Sequence, residues 1–165
     1  LHRRRHSFPT RRSSDLAASA RLAYLNKLSG PLLDRIDVRF KVQPASAVHS
    51  ALANLGATQV GRSSSEIRQR VQLARDRAGH RLRDTPWSVN AHVPGSYLRR
   101  HLRLDSQVAK PLNLALDRGK LSMRGYDRCL RLAWSNADLN DRAQVVAEDV
   151  AKAIGLRGGD GVTSW

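Results

Sequence analysis

The side chains best suited to chemistry in this sequence are arginines, 24 of them beside 5 lysines, and two of them stand in informative runs. The first is Arg35, in Ser29-Gly30-Pro31-Leu32-Leu33-Asp34-Arg35-Ile36-Asp37. Gly30 and Pro31 break the helical pattern of Leu22, Leu25 and Leu28, because proline lacks a backbone donor and biases the residue before it away from helix. Leu32 and Leu33 then anchor a short turn, which places Arg35 where a rigid turn meets the next element. A planar, permanently charged fork held there matches phosphate oxygens. It equally suits a local ion pair with Asp34 or Asp37 that only pins the loop, and such surface pairs are common and weak. The second is Arg124, in Ser122-Met123-Arg124-Gly125-Tyr126-Asp127-Arg128-Cys129-Leu130-Arg131-Leu132-Ala133. Ser122 has the chemistry of a helix cap, so Arg124 falls in the first turn, where its position alone reads as a surface arginine near Asp127.

A third set is distributed along one predicted helix. Arg68, Arg70, Arg75, Arg77, Arg81 and Arg83 fall opposite its apolar stripe. They read as a track for a nucleic-acid backbone or as a solvated arginine-rich face. Other chemistries find no support in the residue pattern. A phosphate-cradling loop needs Gly, four residues, then Gly-Lys-Ser or Gly-Lys-Thr; Gly119-Lys120 fails it, since position 114 is Leu and Leu121 follows the lysine. The histidines at 2, 6, 49, 80, 92 and 101 and the single Cys129 make neither a zinc site nor a nucleophile with a base beside it. The 165 residues are therefore expected neither to bind a metal nor to hydrolyse a nucleotide alone.

The elements that must position these arginines are mainly helical. Ala17 to Leu28 reads as a helix and Ile36 to Val42 as a half-buried strand, alternating apolar and polar until Pro44. Residues 45–61 read as a linker. Ser63 and Glu66 have the capping-box spacing, and Ile67, Val71, Ala74, Ala78 and Leu82 then recur at three and four residues, predicting a helix over 64–82. Pro94 opens a short helix to about His101. Asp105 or Ser106 caps a helix buried through Val108, Leu112, Ala115 and Leu116 and ended by Gly119, despite the interior Pro111. Ser122 caps the next, with Tyr126, Cys129, Leu130 and Ala133 inward. Asp141 is expected to cap a last helix that ends at Gly155, leaving 156–165 as a disordered tail.

A formal charge of +15 would ordinarily point to a polyanionic partner. Residues 6–16, however, resemble the in-frame translation of a sequencing-library adapter, and 1–16 is expected to be a disordered artefact. Excluding those residues removes five Arg and one Asp, which takes +15 to +11. No window approaches the ~18 apolar residues of a membrane span, and no apolar stretch of a secretory signal follows the basic N-terminus. One cysteine cannot form a disulfide within the chain, so a cytoplasmic setting is expected.

The run Ser29 to Asp37, with Asn90-Ala91, Ser122 to Ala133 and Ala137-Asp138-Leu139, resembles the C-terminal part of magnesium-chelatase-related AAA+ ATPases, most of all the competence-type (ComM-like) branch. Trp134, Ser135 and Asn136 depart from the usual pattern. The resemblance implies a mainly α fold: residues 17–44 as the edge of an α/β ATPase core, and 62–155 as a helical lid of four to five helices. It implies that Arg35 is the arginine finger, acting in trans on the nucleotide of a neighbouring subunit, and that Arg124 is the sensor-2 arginine, touching the ATP phosphates of its own subunit. It further implies ATP and Mg2+ in the intact parent, a homo-oligomeric ring, expected to be a hexamer, and ATP hydrolysis coupled to DNA remodelling or branch migration. The alternatives are a stand-alone basic helical nucleic-acid-binding module and an inactive truncated product.

Overall fold

A computed structural model of the chain describes residues 32, 35–39 and 62–158. It divides into two units, 1–35 and 36–165. Of the first, Leu32 and Arg35 are described: both are exposed, and the Arg35 amide donates to the Leu32 carbonyl at 3.0 Å, the closure of a tight turn. The expected helix over 17–28, the linker, the adapter-like residues and the end of the tail lie outside the described residues.

Among the described residues the second unit has five helices: α1 (Ser64–Arg81), α2 (Gly95–His101), α3 (Ser106–Asp117), α4 (Met123–Leu139) and α5 (Ala147–Gly158), with a 3-10 turn (Asn90–His92) before α2. Side-chain caps set the starts of α1, α3 and α4, whereas α2 follows Pro94 with no side-chain cap. Ser63 accepts from the Glu66 amide at 3.2 Å while the Glu66 carboxylate accepts from the Ser63 amide at 2.7 Å, so two orphan donors are satisfied reciprocally. The bond from the Ser63 amide foremost, and then one from the Ser63 hydroxyl at 3.0 Å, hold the Glu66 carboxyl below its usual range. Asp105 caps α3 by accepting from the Gln107 amide at 2.8 Å, and Pro111 sits on the exposed side without ending the helix. Gly119, with φ +66°, closes that helix in the left-handed conformation glycine adopts at no steric cost.

Helix α4 is the axis of the bundle and packs against each of the other four helices and the 3-10 turn. Its buried residues include Cys129, Leu130, Ala133, Trp134 and Ala137, joined by Leu98 of α2, Leu112 of α3, Val150 and Ala153 of α5, and Leu82 and Val93 from the connections. Burial pushes the Cys129 thiol up to about 11. At pH 8 its thiolate fraction is then roughly a hundredfold smaller than that of an exposed thiol. A thiol-alkylating reagent is expected to leave the folded chain unlabelled and to modify Cys129 only at the rate of unfolding. Rapid labelling at pH 8 in the absence of denaturant would contradict this burial.

Four expectations are corrected. The apolar stripe of α1 is buried only through Ala74, Ala78 and the following Leu82; Ile67 and Val71 are exposed, because the first turns extend beyond the part that packs on α4. Asp141 does not cap the last helix. It occupies a left-handed turn at φ 57° and pairs with Arg77 at 2.7 Å, while α5 starts later and is capped from within, Asp149 accepting from the Val146 amide at 3.2 Å. Helix α5 runs through Gly155 to Gly158, with Arg157 buried, so residues 156–158 are not tail. Finally, no strand occurs among the described residues. Ile36–Arg39 carries the alternation of a strand, but its neighbour is a helix end, and the Arg39 amide donates to the Leu156 carbonyl at 2.7 Å. Residues 40–42 lie outside the described residues.

Candidate functional site

The first turn of α4 is set by Ser122, whose hydroxyl accepts from the Gly125 amide at 3.1 Å. Residues 124, 128 and 131 then fall on one face at the i, i+4, i+7 spacing. Together with Arg99 of α2, Met123 and Asp127 they line an open depression of about 500 Å³. Four arginines against one aspartate make it strongly basic.

These arginines are not equivalent. Arg99 pairs with Asp127, whose carboxylate lies so close to Gly95 that a Cβ there would overlap it; the glycine lets α2 and α4 approach at this point. Arg131 donates from Nε to the Val93 carbonyl at 2.9 Å, and Arg128 pairs with Asp37. Arg124 is exposed, and no hydrogen bond or ion pair engages it among the described residues. The carboxylate expected to neutralise it, Asp127, is held by Arg99 instead. A planar guanidinium with donors on one edge has the chemistry to match two oxygens of an anion at once. Among the described residues no group of His, Cys, Asp and Glu is suited to hold a metal ion.

Arg35 is exposed in its turn, and Asp37, one of the two carboxylates considered as its local partner, pairs with Arg128. Arg35 and Arg124 belong to different units, each described by itself.

The arginine face of α1 is not what its spacing suggests. Arg81 turns inward and grips Asp138 of α4 with both ends of its fork, at 2.6 and 2.8 Å. It also donates to Asn90 at 2.8 Å and lies over the Trp134 ring at 4.3 Å. Asn90 donates to Asp138 at 2.8 Å and to Ser135 at 3.2 Å, and Arg77 donates to the Asp138 carbonyl at 2.7 Å. Two of these arginines, read from spacing as a nucleic-acid track or a solvated face, are thus fasteners of the bundle. The clue in the sequence was Asp138, an acid beside Ala137 in the last turn of a helix with an apolar face, which once buried requires a cationic partner.

Fold and site together define, among the described residues, a helical domain whose central helix starts beside an open depression lined by arginines. The family model described as magnesium chelatase, subunit ChlI C-terminal, matches residues 61–157, and the chain belongs to that family. A second model, magnesium chelatase, subunit ChlI, matches residues 6–50, a range that opens inside the adapter-like stretch. An uncharacterized protein of Mycobacterium bovis is 46% identical over 141 residues, covering 86% of this chain and 27% of its own length. Competence protein ComM of Haemophilus influenzae is 31% identical over 140 residues, and the uncharacterized protein YifB of Escherichia coli 32% over 138, each match covering 82% of this chain and 25% of the relative. The chain therefore spans about a quarter of the length of the curated relatives it matches. No solved structure matches it with significance. No helix among the described residues is long and apolar enough to cross a membrane.

Proposed function

We propose that this chain is the lid and finger-bearing edge of a ring-forming AAA+ ATPase, in which Arg124 contacts the phosphates of ATP bound to its own subunit and Arg35 reaches the ATP of the next. The observation that carries the reading is Arg124 itself, exposed in the first turn of α4 within a depression lined by four arginines. Membership of the magnesium-chelatase family supports the nucleotide as the anion. The residues fit a triphosphate: a fork with donors on one edge matches two phosphate oxygens at once, and the neighbouring guanidinia raise the local potential. ATP binds with Mg2+, whose ligands would come from outside the described residues. The ring, a hexamer by resemblance, would work in the cytoplasm and couple hydrolysis to DNA remodelling or branch migration, in keeping with a relative named as a competence protein. A stand-alone nucleic-acid module on α1 is less supported, since Arg77 and Arg81 are occupied inside the bundle.

Replacing Arg124 by Ala in the full-length ATPase is expected to raise the ATP dissociation constant roughly ten- to a hundredfold, the worth of a charge-assisted contact. Titration with a fluorescent ATP analogue measures it. An unchanged affinity together with unchanged turnover would remove Arg124 from the site.

A further inference from the structure

Residues 36–39 follow Arg35 directly in the chain, and the helical unit grips them at several points. The Arg39 amide donates to the Leu156 carbonyl at 2.7 Å, and the Arg39 side chain donates from Nε to the Arg157 carbonyl at 2.8 Å and from Nη2 to the same oxygen. These donors satisfy carbonyls at the end of α5, which have no partner within their own helix. Arg157 answers from Nη1 to the Ile36 carbonyl at 3.0 Å, and Arg128 of α4 pairs with Asp37. The Arg157 side chain reaches this segment by crossing α4 at Gly125, where an added Cβ would come within 3.1 Å of its Nε and 3.2 Å of its Nη2. Gly125 is the residue after Arg124, and Arg128 lies one turn further on.

We infer that Asp37, Arg128 and Arg157 are positioning residues that couple the phosphate-facing start of α4 to the backbone carrying Arg35. The inference rests on the proposed function and extends it. Of the contacts to residues 36–39, the one from Arg157 passes against the turn of α4 that holds Arg124, and the one from Arg128 originates one turn further on. A shift of that turn when phosphate is bound or lost displaces the backbone next to residue 35. In a ring, the nucleotide state of one subunit then adjusts the arginine offered to the next.

Asp37 is exposed enough, at 58% for its side chain, that changing it leaves the core intact. Asp37→Asn removes the charge pair, and Asp37→Glu keeps it. In this chain, amide hydrogen exchange is expected to show Arg39 protected, with about tenfold faster exchange in Asp37→Asn and near-native exchange in Asp37→Glu. In the full-length ATPase, Asp37→Asn is expected to lower kcat about ten- to a hundredfold with KM and ATP affinity unchanged, the signature of a misplaced group away from the binding step, and Asp37→Glu to restore it. An Arg39 amide as unprotected as in a free peptide, or a kcat within about twofold of wild type for Asp37→Asn, would overturn the coupling. Loss of turnover in Arg35→Ala beside normal Asp37→Asn would sink the coupling alone. Full turnover in Arg35→Ala would instead sink the functional reading on which it rests.

Discussion

Replacing Arg35 by Ala in the full-length ATPase is expected to abolish ATP turnover, by about 10³- to 10⁵-fold, while leaving ATP affinity and ring assembly close to wild type. The expectation follows from where such an arginine acts. A guanidinium supplied by a neighbouring subunit stabilises charge that spreads over the transferred phosphoryl group, so its removal raises the barrier far more than it weakens the bound ground state. Arg35→Lys should recover little, because an ammonium on a flexible stem keeps the charge but loses the planar pair of donors. Steady-state kinetics with native mass spectrometry separate the effects: kcat falls, KM barely moves, and the oligomer persists. The turn closed by the Arg35 amide on the Leu32 carbonyl does not depend on the arginine side chain, so the substitution leaves the local backbone bond available.

The largest stability effect is expected at Asp138. Its side chain is buried and holds both ends of the Arg81 fork as well as the Asn90 amide. Asp138→Ala leaves the Arg81 guanidinium, only 15% exposed, with Asn90 and the Trp134 face and no counter-charge. Breaking a buried pair from one side typically costs about 3–5 kcal/mol. Much of that penalty belongs to the orphaned charge rather than to the lost attraction. The double replacement Arg81→Met with Asp138→Leu is therefore expected to be milder than Asp138→Ala alone. Urea denaturation followed by circular dichroism measures both. A loss below about 1 kcal/mol in Asp138→Ala would show that the network does not fasten α1 to α4.

Much of the helical architecture was legible because its signals are local. Ser63 with Glu66, Asp105, Ser122 and Gly119 act within a few residues of themselves, and each performs in the structure the capping role its spacing indicates. What was not legible depends on partners distant in the chain. A helical periodicity assigns Arg77 and Arg81 to the polar face, yet long side chains can bend back to a carboxylate 57 residues away. Ile67 and Val71 continue an apolar stripe past the point where any described element covers it. Asp141 and Asp149 are both chemically competent caps, and only the left-handed turn at Asp141 decides between them. The alternation in Ile36–Arg39 specifies an extended segment but not its neighbour, which is the end of α5 rather than a sheet. At the candidate site, the position of Arg124 in a capped first turn was readable, whereas the diversion of Asp127 to Arg99 was not, since it requires α2 to approach α4 at Gly95.

The most direct test mixes two proteins at an ATP concentration well below the raised dissociation constant of Arg124→Ala, where each alone turns over little ATP. Subunits carrying Arg35→Ala retain Arg124, and subunits carrying Arg124→Ala retain Arg35. If Arg35 acts across the interface and Arg124 within its own subunit, a randomly assembled one-to-one mixture contains complete sites at roughly a quarter of its interfaces. ATP turnover at that ATP concentration should then rise in the mixture to about that fraction of the wild-type rate, well above either protein alone. Mixed rings that form, as native mass spectrometry would report, yet remain inactive would contradict the assignment of the two arginines to one shared pocket.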